Sequence, residues 1–168
     1  MYKKITNCSW LVFAMLLTSA SQVVATEVSQ APVAMPITTD MALAMAAAAE
    51  RAAREQGFAI VVSIVDNHGN LKYFSRMDGT SSGSIQVSQL KAATAAQFPL
   101  PTKMLAQRSA ALPANPYGAI PGFLLLEGGL PVMDTQGAHI GGIGISGATP
   151  ALDAQFAQAA LEAIGGRP

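Results

Sequence analysis

Two histidines, one cysteine and a few well-placed cations set the chemistry this sequence can perform. His68 and His139 are the two imidazoles of the chain, and Cys8 is its one thiol. His68 lies in Asn67-His68-Gly69-Asn70, a turn sequence in which the ring is either solvated or free to reach a neighbouring molecule. His139 follows a second turn, Thr135-Gln136-Gly137-Ala138, and opens a strand, where a surface ring is the ordinary outcome. A metal pair of His68 with Asp66 lacks a third ligand at a recognisable spacing. Arg76, Lys91, Lys103 and Arg108 flank the expected second and third helices, where they can hold a carboxylate. Arginine grips such a group with two parallel hydrogen bonds. For each of them a solvated charge, or a pair with Asp78 or Glu127, is the competing outcome. Arg76 leads the group because it ends a strand beside a loop of Gly, Ser and Thr.

Other chemistries are excluded by spacing. Gly142-Ile143-Gly144-Ile145-Ser146-Gly147 matches a dinucleotide fingerprint in form only, since such a site needs a βαβ unit and an acidic residue roughly 20 positions on. The same glycines suit a strand that lies close under a helix or a subunit. Ser146 lacks a G-x-S-x-G elbow. Asp66, Asp78, Asp134 and Asp153 stand near turns and caps, where Asp serves the backbone. With no basic run interleaved with aromatics, nucleic acid is not an expected partner.

The elements that position these groups follow from composition and periodicity. Residues 1–25 carry Lys3 and Lys4, an apolar run from Trp10 to Leu17 and the small-residue end Val23-Val24-Ala25. That run is far short of the roughly 20 residues of a membrane span, so the segment predicts a secretory signal peptide and a periplasmic or secreted protein. Cys8 falls inside the signal peptide, which leaves the mature chain without disulfides or thiolate ligands. Residues 26–37, with Pro32 and Pro36, form a linker. Residues 38–168 are long enough for one domain with its own core. Only 12% of the chain is charged, and that sparse charge on an alanine-rich sequence favours a homo-oligomer.

Within the domain, Thr38 or Thr39 caps a helix that ends at Gln56 before Gly57. Strands over 58–66 and 71–76 make a hairpin about the His68 turn. A second helix starts at Ser84 and is broken by Pro99 and Pro101; a short third helix covers 103–111. Three strands follow over 122–127, 130–134 and 139–146, and Thr149 with Pro150 opens a last helix. The order α-β-β-α-α-β-β-β-α predicts an α+β domain, with an antiparallel sheet and helices on its faces.

Eight segments in order carry a wider resemblance: MALAMAAAAERAAREQG (41–57), VVSIVDNHGNL (61–71), SRMDG (75–79), LKAATAAQF (90–98), PT (101–102), IPG (120–122), GGLPV (128–132) and IGGIGISGATPALD (140–153). Together they resemble the GlcG/HbpS-like heme-binding family over about residues 39–164. The resemblance implies a profilin-like fold with a five-stranded antiparallel sheet between helices, assembly into octamers, and binding or degradation of heme. It also implies a small hydroxy-acid (glycolate-type) role as an alternative, and a membrane sensor as a further partner. Heme iron needs a Lewis-basic donor. The resemblance points to a threonine, at Thr94 or Thr102, beside the imidazoles of His68 and His139. Arg76, Lys91, Lys103 and Arg108 would then meet the propionates. The chain departs from many relatives at Ser88-Gln89-Leu90, ahead of Lys91, and at the leucine-rich residues 123–127.

Overall fold

The computed structural model describes residues 36–166. The expected signal peptide and most of the expected linker lie outside the described residues. Helix α1 spans Thr39–Glu55, and the Thr38 hydroxyl accepts a hydrogen bond from the Met41 amide at 3.1 Å. It stops at Gly57, whose φ of +78° is the left-handed conformation that glycine adopts without a Cβ clash. Strands β1 (Val61–Asp66) and β2 (Leu71–Arg76) form the expected hairpin. Helices α2 (Gly83–Gln97) and α3 (Thr102–Ala110) follow, then a single 3-10 turn, Pro116–Ala119. Strands β3 (Gly129–Met133) and β4 (His139–Ser146) make a second hairpin, and α4 (Pro150–Glu162) starts with Pro150 behind the Thr149 cap. Among the described residues, no helix is long and apolar enough to cross a membrane.

The sheet has four antiparallel strands in the order β2-β1-β4-β3, not five. Residues 122–127, expected as a strand, form an irregular strap instead. The reason is visible in its hydrogen bonds. The Leu124 amide donates to Thr94 Oγ1 at 2.9 Å, and the Leu126 carbonyl accepts from Thr102 Oγ1 at 2.7 Å. Side chains of α2 and α3 thus take backbone groups that a neighbouring strand would otherwise have paired. Gly122 and Gly128, at φ +83° and +120°, turn the chain at either end of the strap.

Both hairpins use one device. Asp66 accepts from the amides of His68 and Asn70, and Asp134 accepts from those of Gln136 and Ala138. In each turn the third residue after the Asp is a glycine at positive φ, Gly69 and Gly137. Although partial desolvation opposes it, hydrogen bonds from Asn70 and His68 hold the Asp66 carboxyl below its usual range.

Helices α1 and α4 cover one face of the sheet. Their alanines let them approach each other closely, and Met45, Phe156 and Leu161 join Val62, Ile64, Ile143 and Ile145 in the main core. Helix α2 covers the other face, over β1, β4 and β3. There the glycines of the false dinucleotide motif act by having no side chain. A Cβ on Gly144 would collide with the Ser88 carbonyl oxygen and the Ala92 nitrogen, and one on Gly142 would lie 2.5 Å from the Ala92 carbonyl oxygen. The helix backbone rests on the strand itself. Gly144→Ala should therefore lift α2 and cost about 1–3 kcal/mol or more, as overpacking does. Urea unfolding of the variant checks this, and an unchanged midpoint would refute the close-contact account.

Candidate functional site

Because α2 lies over β1, β4 and β3, the edge strand β2 has little cover on that face. A cleft of ≈ 330 Å³ opens there between the first hairpin and α2, lined by Val65, Gly69, Leu71, Gln89, Leu90 and Ala93. All but Gln89 are apolar or glycine, and Leu71 is 55% exposed. The turn that carries His68 contributes Gly69 to one end of the cleft. Near Leu71 the ladder slips by one residue, pairing Ile64 with Tyr73 and Val65 with Leu71, so Lys72 is an extra residue in β2. Lys72 is exposed next to the cleft wall, a cation that the motif-led reading missed. The bulge, which no residue type announces, is what sets Leu71 opposite Val65 in the cleft wall, where an unbroken ladder would have put Lys72.

A second, polar cleft of ≈ 440 Å³ lies at the other end of β2, lined by Glu50, Arg54, Ser75, Arg76, Met77 and Asp78. Arg76 Nε donates to Thr80 Oγ1 at 2.9 Å and Nη2 donates to the Thr80 carbonyl at 3.0 Å. Five strand steps separate Leu71 from Arg76, about 17 Å at the usual rise. A third pocket, ≈ 230 Å³, lies between the start of α1 and the second hairpin, against Met41, Ile140 and Ile164.

The other expected site residues are placed elsewhere. Lys91 is fully buried. Its Nζ donates to Asp153 Oδ2 at 2.8 Å and to the Ile145 carbonyl at 2.7 Å. Burial pushes the Lys91 ammonium below the usual lysine range, against the hydrogen bond and charge of Asp153 and the charge of Glu127. Burial likewise raises the Asp153 carboxyl, against Lys91 and the amides of Ala148 and Gly147. Thr94 Oγ1 donates to the Leu90 carbonyl and accepts from Leu124; Thr102 Oγ1 donates to Leu126 and accepts from the Gly129 amide at 3.1 Å. Both threonines are fully buried, with their hydroxyls spent on the strap and its approach to β3. Lys103 pairs with Glu127 at 3.0 Å on the surface, and Arg108 is exposed on α3. His139 Nε2 lies 2.8 Å from the Gly141 carbonyl, which can only accept, so Nε2 is the donor of that bond. Among the described residues, no three His, Cys, Asp or Glu side chains cluster to hold a metal ion.

The architecture and clefts define a three-layer α+β module whose open edge strand carries an apolar recess at one end and a polar one at the other. The chain belongs to the family described as haem degrading protein HbpS-like, whose model matches residues 37–162. It is 36% identical to Protein GlcG of Escherichia coli (strain K12) over 110 residues, 66% of this chain and 81% of that protein. A double mutant of Streptomyces reticuli HbpS superposes with a TM-score of 0.72 at 36% identity, covering 86% of this chain and 97% of that one. The PduOC:heme complex superposes with a TM-score of 0.72 at 29% identity, covering 79% and 98%.

The buried pair sets a test. Asp153→Asn should destabilise the protein by about 3–5 kcal/mol near neutral pH, because it leaves a dry ammonium without its counter-charge. The lysine pKa then falls further below its unfolded value of about 10.4. Between those two values the unfolded chain holds more protons, so the stability of the variant rises with pH across that window. Lys91→Met with Asp153→Leu should bring stability back to within about 1 kcal/mol of the native protein, or above it. Urea midpoints at roughly pH 7 and pH 9.5 read both effects, and a fully stable Asp153→Asn protein would contradict them.

Proposed function

We propose that this protein binds heme or a related tetrapyrrole for sequestration, transfer or sensing, and that the macrocycle enters the apolar cleft between the first hairpin and α2. The observation that carries this reading is the lining of that cleft: Val65, Leu71, Leu90 and Ala93 give a flat, greasy ligand apolar surface at the edge of the sheet. Family membership and the likeness to the PduOC:heme complex support the same ligand. At ≈ 330 Å³ the recess is at the small end for ligand sites and open on one side, which suits part of a macrocycle. A second copy of the chain is the proposed opposite wall, in keeping with a homo-oligomer, an octamer by resemblance. His68, in the exposed turn at the end of the cleft, is the proposed donor to iron, and Lys72 the proposed partner of a propionate. Bound heme supplies a redox-active iron; the residues of the chain shield its faces and hold its carboxylates. Arg76 lies at the far end of β2 and is not needed there. Export to the periplasm or beyond, and docking to a membrane sensor, belong to this proposal and rest on the N-terminal sequence and the family resemblance.

The description of the family also favours a second reading, a part in heme breakdown. A small hydroxy-acid role is the remaining alternative from the resemblance.

Hemin added to the purified protein should give a saturable Soret shift at micromolar, near-stoichiometric heme. Leu71→Asp, at an exposed position, should weaken binding by about tenfold or more, the effect of losing roughly 1.5–3 kcal/mol of leucine burial. His68→Ala should move the Soret maximum. No shift with the native protein sinks the heme reading, and an unaffected Leu71→Asp sinks its placement. For the second reading, bound heme should lose its absorbance with ascorbate or peroxide faster than heme on a control protein.

A further inference from the structure

We infer that the polar cleft at the end of β2 is a binding site for a small zwitterionic amino-carboxylate, distinct from the apolar cleft. The argument starts from Arg76. Its guanidinium is fixed on one side, with Nε and Nη2 both hydrogen-bonded to Thr80. Thr80 is itself buried, and its hydroxyl donates to the Met77 carbonyl at 3.0 Å, so the support of the arginine is held in turn. Those bonds leave Nη1 and the remaining proton of Nη2 without a partner, a pair of parallel donors that matches a carboxylate. Among the described residues, no carboxylate lies within ion-pair distance of Arg76. This positioned guanidinium, exposed on a cleft of ≈ 440 Å³, keeps two parallel donors to offer an anion.

The rest of the lining selects the anion. Glu50 is already taken, by Arg54 at 2.7 Å and by the Ser75 hydroxyl. Asp78 lines the same cleft and has no cationic partner among the described residues. One free positive and one free negative group therefore share a polar recess. A simple monocarboxylate would satisfy Arg76 and face Asp78 with nothing to offer it. A molecule with a carboxylate at one end and an ammonium at the other satisfies both. The apolar cleft, about 17 Å along the strand, has no part in this.

Alanine, lactate and propionate share a three-carbon carboxylate and differ only in bearing an ammonium, a hydroxyl or neither. Titrated into the 15N-labelled native protein, alanine should give saturable shifts confined to the amides of Ser75, Arg76, Met77 and Asp78, with lactate and propionate at least about tenfold weaker, a difference of about 1.4 kcal/mol. Arg76→Lys, which keeps the charge and loses the fork, and Asp78→Asn should each weaken alanine binding by about tenfold or more; thermal melts confirm that both variants fold. Absence of saturable shifts up to about 10 mM alanine overturns the site. Lactate or propionate binding as tightly as alanine overturns the zwitterion assignment, as does an unaffected Asp78→Asn. None of these readouts involves heme, so they stand or fall apart from the Soret titration.

Discussion

Lys91 and Asp153 hold the two helical layers together around the end of the sheet. Lys91 belongs to α2 on one face, Asp153 to the first turn of α4, and the ammonium reaches the carboxylate past the carbonyl of Ile145. The route exists because glycine keeps it open. A Cβ on Gly128 would lie 2.6 Å from Lys91 Nζ and 2.8 Å from Asp153 Cβ, and one on Gly144 would lie 2.9 Å from Lys91 Cβ. Asp153 also accepts from the Ala148 amide, so the loop that enters α4 is tied to the same carboxylate. A dry ion pair gains little net stability over an apolar replacement, yet losing one partner is costly. Its effect is positional: the ammonium ties α2 to the Ile145 carbonyl of β4 and to the first turn of α4 at once.

The placement of α2 decides what remains open. With α2 held over β1, β4 and β3, its two flanks differ. The flank toward α3 is closed by the strap, which Thr94 and Thr102 fasten through Leu124, Leu126 and Gly129. The flank toward β2 has no such cover, and the apolar cleft lies on this open edge; the polar cleft at the other end of β2 takes Glu50 and Arg54 of α1 into its lining. Two threonines and one lysine of the expected binding set thus shape the scaffold that leaves room for a ligand. Groups at the ends of β2 are left to meet it.

Much of this fold is legible in residue order because local chemistry dictates it. Thr38 and Thr149 cap helices, Gly57 stops one, and the two Asp-x-x-Gly turns fold hairpins whatever surrounds them. The glycines 142 and 144 read correctly as a sign of close approach. The strap is where local reading fails. Phe123-Leu124-Leu125-Leu126 is apolar enough for a strand, but its backbone partners are hydroxyls 24 and 30 residues away, and no local pattern encodes them. Lys91 fails for the same reason. A lysine on a helix reads as a surface charge until its partner, 62 residues on, folds back beside it. The resemblance to a heme-binding family survives these departures because it rests on the order of segments rather than on any one side chain.

The two walls of the apolar cleft explain what kind of binding it can support. The α2 wall is fixed by helix-on-glycine contact and the buried ion pair, and the hairpin wall by the Asp66 turn. Neither wall has to become ordered when a ligand arrives, so little binding energy goes into arranging the site. The cleft is also open, and part of any macrocycle within it stays against water or a neighbouring subunit. A rigid but shallow site captures without a folding step and releases without an unfolding step. Under the heme reading, retention then depends on what closes the open side. A lone chain would exchange heme readily, whereas an assembly that covers Leu71 and Lys72 would hold it. The assembly, more than any single iron ligand, would then set how tightly the cofactor is kept.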